Sequence, residues 1–206
     1  MMYLNILFTL VFFLVSGCGV IKSNEDILLG MYNISEVGEI KFDSTKYVRM
    51  RNISCSPIMF ELYQDTLKQK EGVVLLKAGV NFIDNLGDGE SLEFRVDGEY
   101  YQFKAVSDST QHSDIYLGSA VVNYSYKKYL VSTDFVKSVG GAEELLVRVS
   151  LLSGAFVDGR CSPQKREHLK GVSAGKVSDS HLVLGNMVAG TLGFQEFVRL
   201  SNSVAW

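Results

Sequence analysis

Proline is nearly missing from this chain: there are 2 in 206 residues, Pro57 and Pro163, which excludes proline-rich linkers and polyproline recognition tracts. Histidine is as scarce. His112, His168 and His181 share no metal-ligand spacing, and with only 3 cysteines they supply no set of four zinc ligands. No cluster of Lys and Arg is present and the formal net charge is −3, so the electrostatic footprint required by phosphate backbones is missing and nucleic acid is not an expected partner. What is abundant is apolar: hydrophobic residues make up 47% of the chain, with 10 Tyr and 12 Phe, which excludes a disordered polypeptide.

The N-terminal stretch lacks charge altogether, for no charged side chain occurs before Lys22. A transmembrane anchor needs about 20 apolar residues, whereas the apolar core here runs from Ile6 to Val15, is interrupted by Thr9 and closes at Ser16-Gly17. That length suits the apolar region of an export signal better than a span. Val15-Ser16-Gly17-Cys18 has a branched apolar residue three places before a cysteine and small residues just before it. In this it resembles the lipobox of a bacterial lipoprotein signal peptide, a resemblance confined to residues 1–18. It implies a signal peptide over 1–17, a mature chain beginning at Cys18, fatty acylation (palmitate) at that thiol, and attachment to a membrane through the lipid. Gly19 follows the cysteine where an inner-membrane retention signal would have Asp, so the resemblance implies the outer membrane, with the domain facing the periplasm. An uncleaved anchor or an ordinary cleaved signal are the alternatives, and both also place the remainder outside the cytosol.

Acylation of Cys18 would leave Cys55 and Cys161 as an even pair in an oxidising compartment, where a bridge closing a loop of about 100 residues is worth roughly 4 to 5 kcal/mol. Two unrelated buried thiols are the alternative.

Patterning along the chain predicts a mainly β protein with short helices (α+β), with a sandwich-like or two-sheet antiparallel architecture. Residues 18–35 read as a lipid-anchored tether. Residues 36–106 form a β-rich N-terminal half, residues 107–114 an exposed loop, and residues 115–206 an α+β half that either stands alone or joins the first in one domain. Strands are expected over Tyr47–Ile53 and Ile58–Tyr63. A charged turn at Lys68–Glu71 leads to another strand over Gly72–Leu76, and a short run follows at Val80–Ile83. The strongest local signal is Leu92, Phe94 and Val96 alternating with Glu93 and Arg95, then Asp97-Gly98, then Tyr101, Phe103 and Ala105: a hairpin around a type I′ turn.

Further on, Ala120–Val131 reads as a strand with polar interruptions at Asn123 and Lys127-Lys128. Thr133-Asp134 caps a short helix that Gly140-Gly141 stops in a left-handed cap. A second hairpin turns at Ser153-Gly154, Ser162-Pro163 starts a polar helix ending at Gly171, and Phe194, Phe197, Val198 and Leu200 recur at helical spacing.

No motif carries a catalytic assignment, and neither a cofactor nor a metal is expected. Gly171-Val172-Ser173-Ala174-Gly175 fits the nucleophile-elbow pattern, with Asp179 and His181 downstream, but the flanks lack the buried strand and following helix that hold such a serine on a strained turn. Ser162-Pro163-Gln164-Lys165 matches a serine–lysine pattern without its partner motifs. Asp84, Asp88 and Glu90 around Gly87 and Gly89 offer oxygen ligands without EF-hand spacing. The expected function is therefore a non-catalytic, lipid-anchored cell-envelope protein that binds or scaffolds another envelope protein. The alternative is an exported hydrolase or ligand-binding lipoprotein using the 171–181 loop.

Overall fold

The computed structural model describes residues 34–117, 120–164, 183–184 and 187–206. The architecture is mainly β with short helices, arranged as two sheets. Strands β1 (Ser35–Ile40), β2 (Thr45–Cys55), β3 (Ile58–Asp65), β4 (Val73–Val80), β7 (Gln111–Leu117), β8 (Ala120–Ser132), β11 (Val183–Leu184) and β12 (Met187–Ala189) make the large sheet. Its order is β11-β12-β2-β3-β4-β8-β7, with β1 also on β2. Strands β5 (Leu92–Val96), β6 (Glu99–Phe103), β9 (Leu145–Ser150) and β10 (Phe156–Cys161) make the small sheet, in the order β10-β9-β5-β6. β4 pairs with β8 and β5 with β9, so each sheet draws strands from both sides of the 107–110 connection.

Alternation explains the strands directly. Val74, Leu76, Ala78 and Val80 of β4 are buried while Val73, Leu75 and Lys77 are only half-buried, the period-2 pattern of a strand with one face on the core. In β2 the alternation is reset. Pairing with β3 shifts register between Met50 and Ile53, and Asn52 takes a positive φ of 54°. A bulge of this kind inserts one residue and flips the facing of everything beyond it. Val48 and Met50 point inward before it, and Ile53 and Cys55 after it. The bulge also divides the edge of β2: β1 pairs antiparallel along Thr45–Met50, and β12 pairs parallel at Ile53–Ser54.

Both expected hairpins form. β5 and β6 turn at Asp97 and Gly98, whose φ values of 47° and 93° are those a type I′ turn demands, and β9 and β10 flank the turn at Gly154. Ala105 has left the small sheet and bridges Tyr129 of the large one.

Five local expectations need correction. Of the exposed loop expected over 107–114, residues 111–114 open strand β7 instead, because their backbone pairs with Asn123–Tyr126 of β8 despite their polar side chains. Lys68–Glu71 belongs to a turn of helix, α1 (Thr66–Lys70), capped by Asp65, whose Oδ1 accepts from the Lys68 amide at 2.9 Å. Residues 81–83 form no strand, because a side chain takes over the backbone there: Ser125 Oγ donates to the Phe82 carbonyl at 2.7 Å and accepts from the Asp84 amide at 3.0 Å. Helix α2 (Thr133–Gly141) is capped by Ser132, whose Oγ accepts from the Phe135 amide at 3.0 Å. Its glycines make no left-handed cap. Gly140 is there for close approach, since a Cβ on it would lie 3.0 Å from the Gln195 amide nitrogen of helix α3 (Gly190–Ser203). The polar helix after Pro163 falls on residues outside those described.

The core lies between the inner faces. Phe60 of the large sheet sits 5.6 Å from Phe94 of the small sheet and 5.7 Å from Phe194 of α3, and Phe94 lies 5.1 Å from Phe135 of α2. Edge-to-face and tilted rings at these spacings add about 0.5 to 1.5 kcal/mol per pair beyond their burial. One aromatic cluster therefore ties both sheets and both longer helices together.

Candidate functional site

Cys55 ends β2 and Cys161 ends β10, and the two form a disulfide with their Cα atoms 4.3 Å apart. The bridge joins the large sheet to the small one at the point where the β2 bulge has turned Cys55 inward. Cys18, Ser173, Asp179 and His181 lie outside the described residues, as does His168. Of the serine–lysine pattern, Lys165 also does. No helix among the described residues is long and apolar enough to cross a membrane.

The acidic turn does not converge on a cation position. Asp88 turns to Lys127, whose ammonium is fully buried and donates to the Gly87 carbonyl at 2.9 Å and to Asp88 Oδ1 at 3.1 Å. Asp84 Oδ1 instead accepts from the Asn85 amide at 2.7 Å. Among the described residues no three His, Cys, Asp or Glu side chains gather as metal ligands. Lys127 was expected as a polar interruption of a strand. It is an inward position, and burying its charge is tolerated because the carboxylate and carbonyl meet it there. His112 is exposed, with Nδ1 2.9 Å from Ser125 Oγ.

Burial also governs the tyrosines of β8. It raises the phenol of Tyr129 to about 12, with the hydroxyl 2.9 Å from Ser91 Oγ, and pushes Tyr124 well above its ordinary value. Tyr124 donates to the Met59 carbonyl at 2.8 Å. Both hydroxyls serve as neutral structural donors or acceptors rather than as bases.

Two outer strands of the large sheet differ in how they end it. β7 pairs with β8 alone among the described residues, and its first half is polar: Gln111, His112, Ser113 and Asp114, with Asn123 Nδ2 donating to Asp114 at 2.9 Å. Polar and charged groups on an edge discourage further pairing. β1 likewise pairs with β2 alone among the described residues; it carries Glu36, held by Tyr47 and Arg51, and exposed Glu39, but also exposed apolar groups. Val37 is 51% exposed, Ile40 43% and Phe42, at the tip of the β1–β2 hairpin, 99%. Sequence patterning missed Phe42. The turn itself is readable from Asp43, whose Oδ1 accepts from the Thr45 amide at 3.0 Å, but nothing local announces that the phenylalanine beside it faces water.

Ion pairs lie on the outer faces of both sheets. On the large sheet Glu61 meets Arg49 at 2.5 Å and Lys77 at 3.7 Å, and Lys77 lies 3.8 Å from the Tyr126 ring centroid. Burial lowers the pKa of that lysine, with Glu61 opposing. The small sheet's outer face is a shallow concavity of about 480 Å³ lined by Glu93, Arg95, Tyr100, Leu146, Arg148 and Arg160, among others. No family model, no curated protein and no solved structure matches the chain.

Proposed function

We infer that this chain is a non-catalytic binding protein of the cell envelope, tethered by lipid at Cys18, which captures an extended segment of another envelope protein along β1. The observation that carries the reading is the β1–β2 hairpin. It offers an outer strand with β2 as its sole partner among the described residues and three exposed apolar side chains, Val37, Ile40 and Phe42. An added strand gains main-chain hydrogen bonds from such an edge, and side-chain contacts select which segment adds. A surface-exposed phenylalanine at the tip extends the contact beyond the backbone, and aromatic residues are enriched among binding hot spots.

The test is site-specific photocrosslinking of the full chain in the cells that make it, with the crosslinker at position 42 or, for contrast, at position 114 on β7. A discrete adduct is expected from position 42 alone, weakened about tenfold by Val37→Lys because it replaces an exposed apolar contact on the edge with a second charge beside Glu39. Cys18→Ala is expected to abolish fatty-acid labelling. Equal adducts from both positions would remove the edge argument, and labelling that persists in Cys18→Ala would remove the tether.

A further inference from the structure

Registers across the small sheet align its outward side chains in rows. One row runs Asp158, Arg148, Glu93, Gln102, and the next runs Arg160, Leu146, Arg95, Tyr100. The first row is paired mostly within itself, with Glu93 also meeting the Tyr100 hydroxyl of the second row. Arg148 holds Asp158 through two parallel bonds, Nε at 2.7 Å and Nη2 at 2.9 Å, and its guanidinium lies 4.0 Å from the Phe156 ring centroid. Gln102 Nε2 donates to Glu93 at 3.3 Å.

The second row is open. Arg95 and Arg160 are exposed and make no ion pair or side-chain hydrogen bond among the described residues. Each guanidinium carries five donors in a planar fork suited to a carboxylate or phosphate. They stand two strand spacings apart, about 10 Å between backbones, within reach of one another's side-chain ends across half-buried Leu146. Tyr100 closes the row with its ring 60% exposed. Asp158 is engaged by Arg148, and Glu93 by Gln102 and the Tyr100 hydroxyl, so a chain with a net charge of −3 keeps two positive groups unpaired among the described residues, side by side across Leu146.

We propose that this row, Arg160-Leu146-Arg95-Tyr100, is a binding site for a small organic anion: a carboxylate or phosphate held between the two guanidiniums, with an apolar or aromatic body lying on Leu146 against Tyr100. The concavity of about 480 Å³ is within the roughly 300 to 1,000 Å³ of small-molecule sites and exceeds what an inorganic ion fills. The proposal is independent of strand capture at β1, since it uses the other sheet and none of the same residues.

The experiment titrates the isotope-labelled full chain, in non-ionic detergent, with phenyl phosphate and with benzoate, and follows the backbone amides and arginine Nε signals by NMR. Phenol and inorganic phosphate serve as controls. Saturable shifts confined to the neighbourhood of Arg95, Leu146 and Arg160 are expected, and whichever organic anion binds more tightly identifies the headgroup. Arg95→Gln and Arg160→Gln are each expected to weaken binding about tenfold, the loss of a charge-assisted hydrogen-bonded pair. Asp158→Asn is expected to tighten it, because it releases Arg148 as a third cation. Shifts that do not saturate, equal binding of phenol or inorganic phosphate, retention of affinity when Arg95→Gln and Arg160→Gln are combined, or tighter binding of an acidic decapeptide than of either small anion would each overturn the proposal. Arg95 and Arg160 are exposed, so unchanged amide spectra elsewhere in the variants separate a lost site from a lost fold.

Discussion

On the outer face of the large sheet Glu61 lies between Arg49 and Lys77, and Lys77 in turn lies over Tyr126. On the outer face of the small sheet one row of side chains is closed in the same manner, while the row beside it leaves Arg95 and Arg160 unpaired among the described residues. The inner faces show no such open row: both are mainly apolar and meet in a single aromatic cluster, and the inward lysine, Lys127, is met by Asp88 and the Gly87 carbonyl. Folding therefore depends on what the two sheets share. Exposed ion pairs contribute about 0 to 1 kcal/mol each, so an unclosed row costs the fold little and is free to serve a ligand.

The deepest way to break the comparison is to cut the joint between the sheets. Replacing Cys55 and Cys161 together by serine opens a loop spanning a sequence separation of 106, and the chain-entropy account predicts a loss of about 4 to 5 kcal/mol. Urea unfolding of the oxidised chain and the double variant measures it. Equal midpoints would mean that the bridge constrains nothing the core does not already hold.

Next in size is the contrast between the faces of the small sheet. Phe94→Ala removes a buried ring shared by Phe60, Phe103 and Phe135 and is expected to cost about 3 to 5 kcal/mol. Phe156→Ala, on the outer face of the same sheet and exposed, is expected to stay within about 0.5 kcal/mol. Similar losses at both positions would show that the outer face is covered in solution.

The smallest effect sharpens the comparison through pH. Asp158 is held below the usual carboxylate range by its hydrogen bonds to Arg148. Asp65 is also lowered: burial, its largest single influence, pushes it up, but the side-chain and backbone hydrogen bonds from Lys68 together outweigh that. A carboxyl lowered by folding stabilises the protein above its unfolded value, about 3.9, and that stability is lost as pH falls through the folded value. Asp65, 14% exposed and capping α1, is expected to account for about 1 kcal/mol of the acid limb. Asp158, 57% exposed, is expected to account for no more than about 0.5. Stability against pH for Asp65→Asn and Asp158→Asn checks the order, and a larger effect at Asp158 would reverse it.

Much of the β architecture was legible because it is local. Alternation over Leu92–Val96, Asp97-Gly98 between strands, the second hairpin around Ser153-Gly154, and helical spacing from Phe194 to Leu200 each find their form in the structure. Each signal depends on neighbours a few residues away, and side-chain period and turn chemistry act at that range. The pairing of Cys55 with Cys161 was legible as arithmetic, though not its position at the seam between the sheets.

Other features required the fold. The Asn52 bulge that turns Cys55 inward has no distinct mark in an alternating run, because it arises from β2 matching β3 on one side and both β1 and β12 on the other. Lys127 beside Lys128 reads as two solvated charges, and only the strand's facing, with Gly87 and Asp88 brought near by tertiary packing, buries one and leaves the other exposed. The open arginine row is the same kind of fact. Arg95 and Arg160 lie far apart along the chain and become neighbours through β9, whose registers with β5 and β10 place both opposite Leu146. By itself the sequence determined most of the central strands, the two hairpin turns and the closing helix, since those follow from residue type and period over a few neighbours. Only the tertiary structure decided which charges meet a partner, because pairing depends on distances between strands that the chain order does not specify.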